Sequence, residues 1–553
     1  MSLLLPTCFW AVLSGLAAHL KYKRREPTLF RYLAELATLL VLASVGLFYQ
    51  SRVFTTSVAL SALFITLHLF ALASSITVYR LFLHPLKDYP GPLLAKITKW
   101  YGFYLVSFGK TYIDYAQLHE KYGDVVRIGP NELSFADPES VKYIHGSAAN
   151  KLAKGPNYDT RLWADGISLG DERDIVAHRI RRKFWDKGLA IKAITSYEPR
   201  LVRIINVLKS KFDAYAGKEI DVGAFIDYFG FDAMADLAFN ETFSFIENED
   251  SGELAVLVRK GLKMTELVRN VQWLAPIFKY LPMDPEDKAQ TERFARTSAE
   301  HFEKRLAMGT KPTDLFTYLL AHDENGKTLA KKDLESDSPV IIVAGSDTTA
   351  VCLSFVFYFV SKDPAIQKRL IEEVDKAWAE HGAGLGGRSL GPDKMPYLNG
   401  VINESLRMAP PAPNGNQRTT PEGGCVVSGR YLPANTQVSC QPTFMAHDAR
   451  SFTKPELFAP ERWIDEERNP AWTHDTRSFI PFSAGQYICP GKALAYLEMR
   501  LLLAHVFKDF WFEMAPGFDH AGFWLGLQSY MGYMKKPIPL TVRRRQREEI
   551  LPN

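Results

Sequence analysis

The chain has 553 residues, 47% apolar and 12% aromatic, enough to build a large core and to exclude intrinsic disorder, collagen-like repeats and low-complexity classes. Lys plus Arg number 66 against 62 Asp plus Glu, and a net charge of +4 on this length leaves no footprint of a dedicated nucleic-acid binder. Five scattered cysteines without a C-x-x-C pair exclude a disulfide framework, a zinc ribbon and a cysteine-rich iron–sulfur site.

Three apolar stretches come first, at residues 3–20, 32–49 and 53–79, with Glu35 the only formal charge inside them. Each is near or above the roughly 20 residues that a helix needs to cross hydrocarbon. The third is long enough to tilt or to run past the membrane surface. Lys21-Tyr22-Lys23-Arg24-Arg25 separates the first two, whereas the turn between the second and third carries only Arg52. The positive-inside rule therefore puts the first loop in the cytoplasm, and three spans leave the C-terminal bulk there too. Two spans with one interfacial stretch are the alternative. A secretory signal in residues 1–20 lacks its basic n-region.

His84-Pro85-Leu86-Lys87-Asp88-Tyr89-Pro90-Gly91-Pro92 predicts a stiff, extended linker over residues 84–92, because three prolines and a glycine forbid helix continuation. Behind a 1–83 membrane anchor, residues 93–553 show no repeat, charge block or comparable linker and are expected to form one unit. Residues 124–128 and 132–135 flank Gly129-Pro130-Asn131 and read as a hairpin, and Asp137-Pro138 caps the next helix. From about residue 173 the periodicity is helical, so the fold class is mainly α with small β-sheets. No βαβ alternation is visible, which argues against a doubly wound sheet.

Two short patterns are dismissed. Gly166-Ile167-Ser168-Leu169-Gly170 fits the G-x-S-x-G elbow, but a polar loop precedes it where the elbow needs a buried strand. Gly382-Ala383-Gly384-Leu385-Gly386-Gly387 fits G-x-G-x-x-G yet follows a helical-looking run. The chain thus has no nicotinamide or flavin site of its own, and reducing electrons are expected from another protein.

Phe482-Ser483-Ala484-Gly485-Gln486-Tyr487-Ile488-Cys489-Pro490-Gly491 fixes F-x-x-G-x-x-x-C-x-G, a spacing that chance yields in roughly one such chain per thousand. Glycines let a loop turn tightly beneath a flat cofactor, and Pro490 can open the helix that follows. A cysteine at a helix N-terminus is favoured as a thiolate. From this segment alone, a small buried hydrophobe is the alternative reading.

These residues resemble the cytochrome P450 family of haem-thiolate monooxygenases over roughly residues 84–545, most closely its fungal secondary-metabolism members. The likeness rests also on Ala344-Gly345-Ser346-Asp347-Thr348-Thr349, on Glu404-Ser405-Leu406-Arg407 and on Phe458-Ala459-Pro460-Glu461-Arg462-Trp463. It implies a b-type haem whose iron is held by Cys489, with Phe482, Gly485, Tyr487 and Gly491 forming the cofactor loop. Asp347 and Thr348 are then the catalytic pair that delivers protons during dioxygen activation. Physically, the Thr348 hydroxyl can bond the carbonyl four residues back and distort the helix, and Gly345 is expected to let a small ligand approach. A plain helix cap is the other reading of Ser-Asp-Thr-Thr, against which the apolar Val340 to Val343 run argues.

Glu404 and Arg407 share a helix face, ordinarily a surface pair contributing about 0.2 to 0.5 kcal/mol. Their order before Arg462 suggests a buried carboxylate bridged by two guanidinium groups, with a folding role. For the haem propionates the resemblance offers His178 and Arg182, spaced like the family's W-x-x-x-R, and Arg418. Arg179, Arg181 and Lys183 read as solvated, or else as a docking face for an acidic electron donor.

The chain departs from the family at Tyr487, which stands where an Arg or His is usual, so one propionate contact loses its cation. It departs again at Pro339, which should kink the central helix or mark a late start. Pocket walls are expected from residues 154–169, 409–417 and 523–533.

The resemblance thus implies a monooxygenase of an apolar small molecule, a terpenoid or alkaloid, in the endoplasmic reticulum membrane with its body facing the cytoplasm. Its partners would be O₂, the lipid bilayer and a separate NADPH-cytochrome P450 reductase. The alternatives are a haem-thiolate isomerase, dehydratase or peroxygenase that needs no reductase, and a non-catalytic haem-binding membrane protein.

Overall fold

The computed structural model describes residues 3–23, 27–146, 151–159, 166–250, 254–278, 284–311, 313–323 and 326–546. Arg24 and Arg25 of the basic loop and residues 160–165 of the expected pocket wall lie outside the described residues.

Three N-terminal helices, α1 (Leu4–Tyr22), α2 (Leu29–Ser51) and α3 (Phe54–Val78), are long and apolar enough to cross a membrane. Gly15 lets α1 approach α3, since a Cβ there would lie 2.5 Å from the His68 carbonyl. Polar side chains face each other across this contact: Ser14 Oγ bonds His68 Nδ1 at 2.8 Å. Glu35, the charge inside the second stretch, accepts from Lys21 at 2.8 Å.

A π-helical turn, Tyr79–Leu83, prolongs α3 into the linker, which is extended as its prolines require but is not free. It docks on β1 (Val125–Gly129) through Arg127, a fully buried guanidinium satisfied by carbonyls. Arg127 Nη1 donates to the Arg80 and Leu86 carbonyls at 3.0 and 3.3 Å, and Nη2 donates to Pro130 at 2.6 Å. Its backbone N–H meets the Pro90 carbonyl at 2.7 Å. Gly91, at φ +155°, sits where a Cβ would come within 2.3 Å of the Arg127 carbonyl.

β1 pairs antiparallel with β2 (Glu132–Phe135), with a bulge between Arg127 and Gly129, giving the hairpin its sequence predicts. Asp137 caps α4 (Pro138–Ile144), its Oδ1 accepting from the Ser140 N–H at 2.9 Å. The later elements that position the site are β3 (Ala153–Lys154), α5 (Ile175–Gly188), α6 (Val222–Phe239), α7 (Lys331–Lys362), α8 (Pro396–Met408), β4 (Arg418–Thr419), β5 (Gln437–Cys440) and α9 (Lys492–Asp509). The strands form one sheet in the order β1-β2-β5-β4-β3, with β2 and β5 parallel. The described residues are 62% helical, with small sheets.

α7 is long and apolar enough to span a bilayer, yet 72% of its apolar window is buried inside the protein. It runs unbroken from Lys331 through Pro339, so the proline marks no late start; it leaves the Glu335 carbonyl without its helical donor. Beside the proline, fully buried Asp337 accepts from Arg181 Nη2 at 2.9 Å and from the Leu169 N–H at 2.6 Å. Arg181 is therefore an internal tie, neither solvated nor part of a docking face, whereas Arg179 and Lys183 are exposed. Gly230 and Gly345 let α6 and α7 cross closely: a Cβ on Gly345 would lie 2.5 Å from Met234 Sδ. Gly345 thus serves helix packing; the expected small-ligand approach is not made at its face.

Glu404, Arg407 and Arg462 are all 0% exposed. Arg407 holds the carboxylate with two bonds, Nε at 2.9 Å and Nη2 at 2.8 Å, while Arg462 Nε approaches at 3.3 Å and Trp463 Nε1 donates at 2.9 Å. The two guanidinium groups overcome the desolvation of Glu404 and keep its carboxyl below the usual range. The two dismissed patterns are loops: Ser168 Oγ bonds Asp171 at 2.9 Å, and Gly382–Gly384 is one 3₁₀ turn directly after a helix.

Candidate functional site

The cysteine loop is folded by its glycine and its own backbone. Gly485, at φ +63°, sits where a Cβ would come 2.1 Å from the His145 carbonyl, which no other residue tolerates. The Cys489 N–H bonds the Phe482 carbonyl at 2.9 Å, and the Phe482 ring packs against Tyr496 at 5.4 Å. Gly491, not Pro490, is the N-cap of α9, so Cys489 stands two residues before the cap. Burial pushes its thiol up, opposed by the N–H groups of Gly491 and Lys492 and by Arg182.

Three sequence-predicted residues, His178, Arg182 and Arg418, converge on the middle of this loop at Tyr487 and Ile488. The His178 ring stands edge-on to Tyr487 at 4.7 Å, and the Arg418 guanidinium lies over the Tyr487 ring at 4.6 Å. One turn beyond His178, Arg182 Nη1 donates to the Ile488 carbonyl at 2.6 Å, and its Nε bonds Asp186 at 2.7 Å. Arg182 thus grips the cysteine loop by its backbone. Burial, then Lys154 and the neighbouring arginines, pushes the His178 imidazole down to about 3, so it is neutral here.

On α7, Ala344 and Thr348 are exposed residues one turn apart in a stretch whose other residues are buried or half-buried. Thr348 Oγ1 donates to the Ala344 carbonyl at 2.6 Å, the back-bond its position predicts. Asp347 is buried; burial first and Asp227 second push its carboxyl up to about 6, while Lys535 and Arg259 oppose them. Its Oδ2 lies 3.4 Å from where a Gly532 Cβ would stand, and the Pro411 carbonyl is at the same distance. Two expected wall segments therefore meet beside the carboxyl, although Phe523 and Tyr533 are buried in the aromatic core. α7 also packs on α9, where Thr349 faces Glu498.

The cytochrome P450 family model matches residues 90–521. The chain belongs to the cytochrome P450 family. Among its curated relatives, Cytochrome P450 67 of Uromyces fabae is 32% identical over 93% of this chain and 94% of its own length. Cytochrome P450 monooxygenase orf5 of Eupenicillium brefeldianum is 32% identical over 87% of this chain and 96% of its own. Cytochrome P450 monooxygenase lcsK of Purpureocillium lilacinum is 31% identical over 92% and 93%.

Cytochrome P450 proteins are oxidoreductases that bind haem through a cysteine thiolate on the iron. The residues of this chain fit that group. Buried Tyr487 Oη and Arg418 Nε have no hydrogen-bond partner among the described residues, so the cradle has polar capacity left for a ligand's carboxylates. The cysteine sulfur faces helix-terminal N–H groups, and midway along α7 Ala344 and Thr348 are exposed one turn apart.

Sequence reasoning missed several residues here. Asp227, bonded to Arg259 Nη2 at 2.6 Å and to Lys535, adds charge behind Asp347. Glu498 is buried and pushed up to about 8, and buried Lys154 lies over Tyr487. None carries a sequence signal, since long-range packing alone brings them to the site.

Proposed function

We propose that this chain is a membrane-anchored haem-thiolate monooxygenase with Cys489 as the axial ligand. It inserts one atom of O₂ into an apolar small molecule of secondary metabolism, such as a terpenoid or alkaloid. Electrons come from a separate NADPH-cytochrome P450 reductase. Residues 1–83 anchor it in the endoplasmic reticulum with the body on the cytoplasmic side, a reading supported by three apolar helices and by Lys21 and Lys23 at the end of α1. The observation that carries the proposal is the pairing of a cysteine loop before α9 with the mid-helix exposure of Ala344 and Thr348 on the helix that α9 packs against.

When bound, haem supplies dioxygen activation and oxygen-atom transfer. The side chains orient and move protons. Thr348 gives its hydroxyl proton to the Ala344 carbonyl, so its oxygen lone pairs turn to the open turn and hold a proton donor there. Asp347, poised at about 6, takes up and releases a proton close to neutral pH. Arg407, Arg462 and Glu404 hold the fold beside the site and take no part in the chemistry.

Two measurements test the proposal. The reduced protein under carbon monoxide should show the thiolate-type Soret band, and Cys489→Ala should lose it; a histidine-type band in the native protein overturns the ligand assignment. Protein supplied with reductase, NADPH and O₂ should convert a metabolite to a product one oxygen atom heavier. Isomerised or dehydrated product without NADPH would assign the site to the reductase-independent class.

A further inference from the structure

A polar cavity of about 60 Å³ lies between the sheet and the helix Leu254–Asn270, with Asn157, Glu266, Arg269 and Asn414 in its wall. That is about twice the share of liquid volume that one water takes, room for one functional group of a larger molecule. Most polar side chains around it are paired. Gln417 Nε2 donates to Glu132 Oε1 at 3.2 Å and to Gln437 Oε1 at 3.1 Å, and Gln417 Oε1 accepts from the Asn157 N–H at 3.3 Å. Asn414 is different: its Oδ1 and Nδ2 are both buried and both without a hydrogen-bond partner among the described residues, as are Asn157 Oδ1 and Arg269 Nε. Buried polar atoms left unpaired are costly, and four of them at one cavity point to a ligand that completes them.

The charges here already have partners. Arg269 faces Asp171 at 3.6 Å and Glu266 at 3.9 Å, and Lys99 Nζ holds Glu132 at 2.9 Å. With a carboxylate beside each cation, the cavity suits a neutral group better than an anion. A carboxamide free at both ends offers an acceptor and a donor side by side. A secondary lactam answers both, because its ring holds N–H and C=O on the same side, whereas an open-chain trans amide turns them apart and meets only one. The reacting centre is within reach. Pro411, whose carbonyl borders Gly532 together with Asp347, stands three residues before Asn414, at most about 11 Å of chain away.

We propose that this cavity is a subsite for a secondary lactam carried by the substrate, held by Asn414 with one hydrogen bond in each direction. The substrate is then a lactam-bearing alkaloid or cyclic peptide with an apolar remainder, not a terpenoid hydrocarbon. This deepens the haem-thiolate reading and rests on it.

The test uses the full-length haem-loaded protein in detergent and a panel of cyclic dipeptides with apolar side chains, each paired with its N,N′-dimethyl counterpart. Sesquiterpenes and carboxylic acids of similar size complete the panel. Calorimetry reads affinity, and the Soret shift reads approach to the iron. At least one cyclic dipeptide should bind, shift the Soret band and be preferred about thirtyfold over its methylated counterpart, the worth of two neutral hydrogen bonds. Asn414→Leu should erase that preference, whereas loss of a merely structural residue would weaken both compounds alike.

Equal affinity within the methylated pairs, no binding of any cyclic dipeptide, or binding without a Soret shift overturns the proposal. So does tighter binding of the sesquiterpenes or the acids, or a preference that survives Asn414→Leu. If Asn414→Leu does not accumulate, the paired compounds on the native protein decide: the preference supports the subsite and its absence overturns it. The carbon-monoxide band separates the two readings: it should be thiolate-type in the native protein and the variant, and its absence from the native protein overturns the ligand assignment instead.

Discussion

Thr348 is where removal of one oxygen atom should separate electron consumption from product formation. Its hydroxyl is the one polar group on the open turn of α7, with its proton tied to the Ala344 carbonyl. Thr348→Ala leaves that turn without an acceptor for a proton donor. NADPH should still be consumed while peroxide is released, with product per NADPH falling about tenfold or more; unchanged coupling, measured as product against peroxide, would remove Thr348 from the relay. The acid–alcohol pair was legible because its residues are adjacent in the chain. Lys154, Glu498 and the Asp227, Arg259 and Lys535 group were not, because each comes from a different element. Tyr487 was legible as an anomaly, and its ring proves to be the surface on which His178, Arg418 and Lys154 converge.

At the scale of elements, α8 is fastened by a carboxylate that no water reaches. Glu404→Ala would strand Arg407 and Arg462, both fully buried, at a cost of about 3 to 5 kcal/mol. Haem-loaded protein should therefore fail to accumulate, as measured by the reduced carbon-monoxide spectrum of membranes; normal haem content would refute the folding role. Motif order revealed this triad, since three charges recurring at set intervals need a shared partner. Gly345 shows the limit of such reasoning. A helical glycine signals close approach from sequence, but only the fold says whether a ligand or, as here, Met234 of α6 makes it. Pro339 is similar: the lost hydrogen bond was foreseeable, while the Asp337–Arg181 tie beside it, joining α7 to α5, was not.

On the scale of the whole molecule, apolar run length revealed the three N-terminal helices, and helical periodicity revealed the mainly α body. Hidden from both was the way the linker is bound down, because a proline-rich segment reads as extended whether it is free or docked. A chain shortened to begin at Tyr79 keeps the Arg80 and Leu86 carbonyls for Arg127, whereas one beginning at Lys87 loses both, together with the buried Leu86 side chain. The longer version should be more stable by about 3 kcal/mol or more in denaturant unfolding followed by haem absorbance. Equal midpoints would show the linker to be a passive tether.

Fastening by Arg127 also has a mechanical consequence. With the π-helical turn after α3 and the linker clamped to the first sheet strand, no swivel separates α3 from the body. On the proposed anchoring, a change in bilayer thickness that alters the inclination of α3 is expected to rock the body with it.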